Sequence, residues 1–187
     1  LVVNTDYPNA NGLNMAVVDM SLANGSGAVV EKFIPVRPPP NCEMLTAVRH
    51  AIGSDFWLIG HAYGSNQFFV YAITSAGISQ QPFLQALGPV IDTPQPGVPD
   101  GSNFDAIGTL KASPQGDRLA FTTFYNGRTA VFDLDPNTGT ISNPIALSIG
   151  KGGYGVCFSP GGSKLYVTAR DSADYGTMSD GDLFQFD

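Results

Sequence analysis

An acidic segment near the C-terminus carries the side chains best suited to bind a hard cation. Asp171, Asp174, Asp180 and Asp182 are clustered there. Calcium is held by several oxygen ligands, which neighbouring carboxylates can supply. The spacing departs from the EF-hand loop and lacks its terminal glutamate, and a solvated acidic loop explains the same residues. We therefore name these four aspartates as a candidate calcium site, and we favour the solvated loop over bound calcium.

The two histidines of the chain are the next candidates for chemistry. His50 and His61 fall near the ends of two predicted strands in the same part of the sequence. Neutral imidazole can ligate a metal or act as a base. No third ligand lies nearby in sequence, and polar residues at strand ends commonly make structural hydrogen bonds. We therefore favour a structural role and assign no catalytic residue.

Glycine-rich and aromatic segments are also better explained by architecture than by ligand binding. The run 150–155 is rich in glycine but precedes a predicted strand, so it lacks the helix N-terminus that binds phosphate and is interpreted as a loop. Aromatic residues near the middle of the chain could form a carbohydrate platform, but their alternation along strands favours packing between sheets. These aromatic residues are Phe56, Trp57, Phe68, Phe69 and Tyr71.

Nucleophile and cofactor motifs are lacking from the sequence. There is no G-x-S-x-G elbow, no H-E-x-x-H helix and no P-loop. Cys42 and Cys157 could form a single disulfide or remain two unpaired thiols. A scaffold held by disulfides would carry more cysteines, so we favour unpaired thiols.

The composition describes a soluble, turn-rich and mostly β protein. The 187 residues include 22 glycines and 14 prolines, which argue against a helical bundle, and 43% apolar residues, which argue against a disordered chain. No apolar run approaches the length of a membrane span. The net charge of −7 disfavours nucleic acid and anionic membrane surfaces. Because Leu1 opens the chain in place of Met, we expect a trimmed or partial chain.

One unit of short strands recurs along the sequence. Its clearest copy contains a strand that ends at Ser113-Pro114, and the next copy repeats this turn at Ser159-Pro160. An earlier, more diverged copy begins near Leu45, and the tail of another covers residues 14–30. The predicted strands of the three fuller copies are 45–50, 56–61, 68–73, 83–87, 106–114, 118–122, 129–134, 140–147, 155–160, 164–168 and 182–187.

Four short strands in each unit are typical of a β-propeller blade, since a lone four-stranded sheet cannot bury both of its faces. The sequence predicts an all-β protein, a β-propeller fragment of about three and a half four-stranded blades. We expect a partial blade over 1–36, blades over 37–91 and 92–149, and a partial blade over 150–187. A β-sandwich is the alternative fold, but it does not predict the recurring Ser-Pro-x-Gly turn.

The turn segments resemble a known family. Residues 112–120 and 158–167 are similar to the F-S-P-x-G-x-x-L-x-V core of WD-repeat-like and YVTN (lactonase-like) β-propellers. A more specific likeness combines residues 50–71 with Asn137-Thr138-Gly139 and Ser142-Asn143-Pro144-Ile145. These segments resemble the propeller region of large secreted Bacteroidota proteins, which often carry a gliding-motility-associated sorting domain for type IX secretion. The resemblance covers nearly the whole chain from residue 14.

The resemblance implies an exported protein, extracellular or at the cell surface, whose propeller serves as a non-enzymatic module for binding or display. We expect a protein or glycan partner, no nucleic acid, no membrane insertion and no cofactor apart from the candidate calcium. We also expect the chain to continue into further blades or domains, or to pair with another copy. The alternative is a lactonase-like metal-dependent hydrolase. It would use acids such as Asp55, Asp105 and Asp117, most of which lie at turn positions where aspartate is common.

Overall fold

A computed structural model describes residues 2–3, 12–92, 104–170 and 181–187 of the chain. The described backbone consists almost entirely of antiparallel strands, and it divides into two compact units, Leu1–Asn41 and Cys42–Asp187. The strands are β1 (Val2–Val3), β2 (Leu13–Asp19), β3 (Ala28–Arg37), β4 (Asn41–Arg49), β5 (Phe56–Ala62), β6 (Ser65–Thr74), β7 (Gly77–Ile78), β8 (Phe83–Ile91), β9 (Gly108–Ala112), β10 (Arg118–Thr123), β11 (Thr129–Asp135), β12 (Thr140–Leu147), β13 (Gly152–Phe158), β14 (Leu165–Arg170) and β15 (Asp182–Phe186). Short 3₁₀ turns cover Ala23–Gly25 and Phe104–Ala106.

The first unit contains one antiparallel sheet, sheet I, in the order β1-β2-β3. Its β2–β3 ladder shifts register at several points. The loop after β3 is held by two hydrogen bonds of Asn41. Its Oδ1 accepts from Arg37 Nε at 2.7 Å, and its Nδ2 donates to Pro38 O at 3.1 Å.

The second unit contains three sheets that follow one another along the chain. Sheet II comprises β4–β8, sheet III comprises β9–β12 and sheet IV comprises β13–β15. In sheet II, β7 and β8 both pair with β6, so together they form one interrupted fourth strand. These elements follow the predicted strands closely. One difference is that β13 begins at Gly152, so the predicted loop 150–155 is partly a strand.

The faces of these sheets pack against each other through two apolar cores. Alternation along β5 and β6 places Ile59, Phe68 and Val70 in the core shared with sheet III. A second core is shared by sheets III and IV and contains Ala120, Val156 and Val167. Burial of this apolar surface is the main force that holds the sheets together.

The aromatic residues predicted to pack between sheets divide into two groups. Phe68, Phe69 and Tyr71 are buried, as the strand alternation indicated. Trp57 is partly buried, and its Nε1 donates to Pro136 O at 2.9 Å, across the junction of sheets II and III. Phe56 differs from the prediction, because it begins β5 at the sheet margin and is 41% exposed.

The strand order repeats from sheet to sheet. The first strands β9 and β13 lie side by side, and the last strands β8 and β12 lie side by side. Gln85 on β8 holds the contact between β8 and β12. Its side-chain amide donates to Gly139 O at 2.9 Å and accepts from Ile141 N at 2.8 Å. Sheets stacked in this manner have the arrangement of consecutive propeller blades.

The recurring Ser-Pro-x-Gly turn has the same hydrogen bonds in both copies. Gly116 N donates to Ser113 O at 3.0 Å, and Gly162 N donates to Ser159 O at 2.8 Å. Both glycines have positive φ, +75° and +72°, a conformation that favours glycine. Each serine hydroxyl also accepts from the backbone N–H of the residue five positions later, at 3.1 Å. The motif therefore recurs because each serine closes its own turn.

Replacing Ser159 with alanine tests this role. The Ser159→Ala variant loses the acceptor for the backbone N–H of Lys164, and we expect the free energy of unfolding to fall by about 0.5–1.5 kcal/mol. Ser163 is exposed in the same turn, so Ser163→Ala is the matched control and should change stability little. Urea unfolding followed by circular dichroism measures both. Equal effects of the two substitutions would contradict this account of the turn.

Candidate functional site

Asp105 is the one acid in the described residues that is completely buried, and it lies at the junction of sheets II and III. It belongs to the 3₁₀ turn that precedes β9. Its carboxylate accepts two hydrogen bonds from Asn126, one from the backbone N–H at 2.8 Å and one from the side-chain amide at 2.5 Å. Because Asn126 lies in the β10–β11 turn, these hydrogen bonds connect that turn to the segment just before β9.

Arg128 connects this carboxylate to sheet II. Its Nε lies 3.6 Å from Asp105 Oδ2, and its Nη2 lies 3.9 Å from Asp92 Oδ1. Its Nη1 also donates to Val90 O at 2.5 Å. The guanidinium therefore balances the buried charge and holds the end of β8 beside sheet III. A buried carboxylate is tolerated only with such partners.

His61 and Cys42 lie close together in the core of the same junction. His61 Nδ1 is 2.9 Å from Ala62 O, so this nitrogen carries the hydrogen and donates it. Cys42 Sγ lies 4.0 Å from the same nitrogen. His61 Nε2 is buried without a hydrogen-bond partner in the described structure. Phe68 and Phe121 enclose the imidazole, with ring centroids at 4.7 and 5.7 Å.

Burial decides the protonation of these groups. It lowers the pKa of His61 to about 4, and it raises the pKa of the Cys42 thiol well above its usual range, with Asp105 adding to the effect. At neutral pH the imidazole is uncharged and the thiol keeps its proton. Tyr63, in the β5–β6 turn, also keeps its proton, because burial and the charges of Asp105 and Asp92 raise its pKa to about 12. His61 and Cys42 therefore do not supply a thiolate nucleophile.

His50 has a structural role in the turn between β4 and β5. Its position corresponds to that of Ser113 and Ser159 in the other copies, since its backbone N–H donates to Asp55 O at 2.8 Å. Its ring Nδ1 accepts from the Ile52 N–H at 3.0 Å. The imidazole therefore replaces the serine hydroxyl as the acceptor inside the turn. The two histidines belong to different surroundings and do not form one site.

The candidate calcium residues are only partly covered by the structure. Asp171, Asp174 and Asp180 lie outside the described residues. Asp182 begins β15, and its carboxylate forms an ion pair with Lys151. Among the residues that are described, no three His, Cys, Asp or Glu side chains group together as metal ligands. The four-aspartate calcium site stays a prediction.

The other acids and the cysteines occupy separate positions. Asp117 accepts from Ser113 Oγ at 2.7 Å within its turn, and Asp55 lies in the turn at His50. Neither carboxylate joins Asp105 in the described structure. Cys42 and Cys157 are free thiols, one buried and one exposed, which agrees with the interpretation as unpaired cysteines.

Comparison with solved structures identifies the fold. The periplasmic gluconolactonase PpgL of Pseudomonas aeruginosa aligns with 96% of this chain at a TM-score of 0.53 and 19% identity, and the alignment covers 53% of PpgL. A Lactobacillus plantarum protein aligns with 97% of the chain at a TM-score of 0.51 and 15% identity, over 52% of its own length. The chain thus spans about half the length of these structures. The prediction of an all-β propeller fold is confirmed.

Sequence comparison adds no family beyond this fold. The chain matches no protein-family model and no curated protein. Across the described ranges, the structure contains no helix with the length and apolar character needed to cross a membrane.

The sequence identified Asp105 but not the residues that determine its role. Arg128 and Tyr63 carry no motif that singles them out. Asn126 lies between the predicted strands 118–122 and 129–134, which indicates a turn there and nothing more. Its contact with Asp105 joins residues far apart in sequence, and no local pattern encodes that pairing.

The buried imidazole predicts a stability that falls in mild acid. The pKa of His61 is about 4 in the folded chain, and an unperturbed histidine, as in the unfolded chain, has a pKa of 6.5. Between these two values the unfolded chain therefore binds more protons than the folded chain. Stability should therefore decrease as pH falls from about 6.5 towards 4, by up to about 1.4 kcal/mol per pH unit from this group. Urea unfolding at pH 7 and pH 5 measures the change.

Two variants separate His61 from the other titrating groups. His61→Leu should have a smaller loss of stability between pH 7 and pH 5 than the parent chain. His50→Gln is the matched control, because His50 lies at an exposed turn, and it should keep the parental pH dependence. A His61→Leu chain with the full parental pH dependence would show that burial of this imidazole does not govern the acid sensitivity.

Proposed function

We propose that this chain is a segment of an extracytoplasmic β-propeller that acts as a binding or display module and not as an enzyme. The observation that carries the proposal is that the reactive side chains at the junction of sheets II and III are buried and contact other residues of the fold. Asp105 accepts two hydrogen bonds from Asn126 and forms an ion pair with Arg128. The Cys42 thiol keeps its proton, and the His61 imidazole is buried between Phe68 and Phe121. These groups are used to hold sheets together.

The cellular setting is proposed from the sequence resemblance. Residues 50–71 and 137–145 resemble the propeller region of secreted Bacteroidota proteins, and we propose export by the type IX route to the cell surface or the medium. We assign one blade each to 37–91 and 92–149 and partial blades to 1–36 and 150–187. Further blades, or a second copy, would complete the ring. Asp171, Asp174, Asp180 and Asp182 are kept as a proposed calcium site, with a solvated acidic segment as the favoured alternative.

The alternative is a lactonase-like metal-dependent hydrolase. One observation favours it, which is that PpgL, a structure with the same fold, is described as a gluconolactonase. At 19% identity this likeness concerns the fold alone. A propeller fold hosts many functions, so the assignment depends on measured activity.

Lactone hydrolysis and metal content distinguish the two functions. The full chain is incubated with glucono-δ-lactone and other aldonolactones, with and without EDTA, and acid release is followed by pH-stat titration. We expect the spontaneous rate at every protein concentration and no effect of EDTA, because no reactive group of the junction is available. Elemental analysis after dialysis should find no tightly bound divalent metal. Hydrolysis that rises with protein concentration and is abolished by EDTA would contradict the proposed function and favour the hydrolase.

A further inference from the structure

The first unit exposes a phenylalanine in an unusual backbone conformation. Phe33 lies on β3, and its side chain is 78% exposed. Its φ is +56°, in the left-handed region that bulky residues rarely adopt. In the ladder with β2, Ala16 stands opposite both Lys32 and Phe33, so Phe33 belongs to a β-bulge. The backbone conformation and the exposure of the ring are both unfavourable for the chain taken alone.

The corresponding strands of the next two sheets have residues that tolerate this conformation. β8 and β12 are the last strands of sheets II and III, and each also contains a register shift with one residue of positive φ. These residues are Gly88 (φ +78°) and Asn143 (φ +50°), types that enter the left-handed region readily. A bulge of this kind therefore does not need phenylalanine, and such an outlier points to a function of the Phe33 ring.

An apolar groove of matching size opens between sheets III and IV in the second unit. Its volume is about 130 Å³. An apolar cavity of about 150 Å³ is large enough to bind benzene. Ile145 lines the groove and is 59% exposed. The apolar residues that line the groove are Val131, Ile145, Leu147, Phe158, Leu165 and Phe186. The groove therefore has the size and the lining to accept an aromatic side chain.

The charges beside the phenylalanine and at the groove are opposite. Glu31 is exposed two residues before Phe33. Three charged residues line the groove, and two of them, Lys164 and Asp187, form an ion pair with each other. The third is Arg118, whose exposed side chain makes no ion pair within the described ranges. Arg118 therefore leaves a positive charge at the groove, which the Glu31 carboxylate complements.

We propose that Phe33 of one chain inserts into the groove between sheets III and IV of a second copy. Burial of the Phe33 ring drives the contact, and Glu31 faces Arg118 of that copy. Because the two surfaces differ, the contact is head to tail, and it generates either a closed ring or an open chain of copies. The inference gives a specific contact to the second copy named in the proposed function, and to this extent it rests on that function.

Sedimentation of the full chain measures the association. We expect the mean mass to rise with protein concentration between about 1 and 200 µM. Phe33→Asn should weaken the association by about tenfold or more, since it removes the buried ring. Its free energy of unfolding in urea, measured where both chains are monomeric, should stay equal or rise, because asparagine tolerates positive φ. Phe83→Asn is the matched control, because Phe83 is 53% exposed and does not line the groove, and it should associate like the parent chain.

A mixing experiment tests whether the contact is head to tail. Phe33→Asn removes the ring and keeps the groove, whereas Ile145→Lys keeps the ring and places a charge in the groove. At a concentration where the parent chain associates, we expect each variant to be monomeric alone and an equimolar mixture to form a complex of two chains. Ile52→Lys is the control for the second substitution, because Ile52 is 73% exposed in the β4–β5 turn and does not line the groove. It should associate like the parent chain.

Charge reversal tests the pairing of Glu31 with Arg118. Arg118→Glu should weaken the association by about fivefold, the range of an exposed ion pair. Glu31→Arg in the same chain reverses both charges and should restore the association. Failure of the second substitution to restore it would overturn the assignment of this pair.

Three results would overturn the contact itself. They are a parent chain that is monomeric up to about 200 µM, an association that Phe33→Asn leaves unchanged, and a mixture of the two variants that stays monomeric. None of them bears on lactone hydrolysis, which alone decides between the binding module and the hydrolase. A monomeric chain without hydrolase activity would overturn the contact and leave the proposed function intact, so the two proposals can fail separately.

Discussion

The rings of Phe68, Phe121 and Phe132 meet between sheets II and III, and the rest of the second unit is arranged around this contact. Phe68 meets Phe132 edge to face at 5.1 Å, and Phe121 stacks on Phe132 at 5.7 Å. An antiparallel sheet with two apolar faces must be covered on both. Sheet III meets this requirement by packing on sheet II with one face and on sheet IV with the other.

The same contact explains why several chemically suggestive residues are buried here. At its margin, the carboxylate of Asp105 is removed from water between sheets II and III. Asn126 donates two hydrogen bonds to Asp105 and the Arg128 guanidinium lies beside it, which offsets the cost of burying the carboxylate. Tyr154, at the junction of sheets III and IV, has the opposite character, because its side chain is 60% exposed.

Local features of this fold were predictable from the sequence, and contacts between sheets were not. Ser113 and Ser159 identify turns because each serine bonds to residues within five positions. The hydrogen bonds of Gln85 to Gly139 and Ile141 depend on how two sheets align, which no local pattern specifies. Asp105 was recognised as an acid of interest, but its structural role follows from Asn126. Tyr154 was hidden in a segment interpreted as a loop, because a bulge has no distinct sequence signal.

The central claim is that the buried acid at the junction of sheets II and III holds the fold and does no chemistry. The free energy of unfolding of Asp105→Asn tests it most directly, with Asp133→Asn at an exposed position as the control. An amide at residue 105 would place a donor against the donors of Asn126. The account predicts a loss of about 1–3 kcal/mol for Asp105→Asn and little change for the control. Unchanged or increased stability of Asp105→Asn would contradict the account, since acids kept for catalysis commonly cost the fold stability.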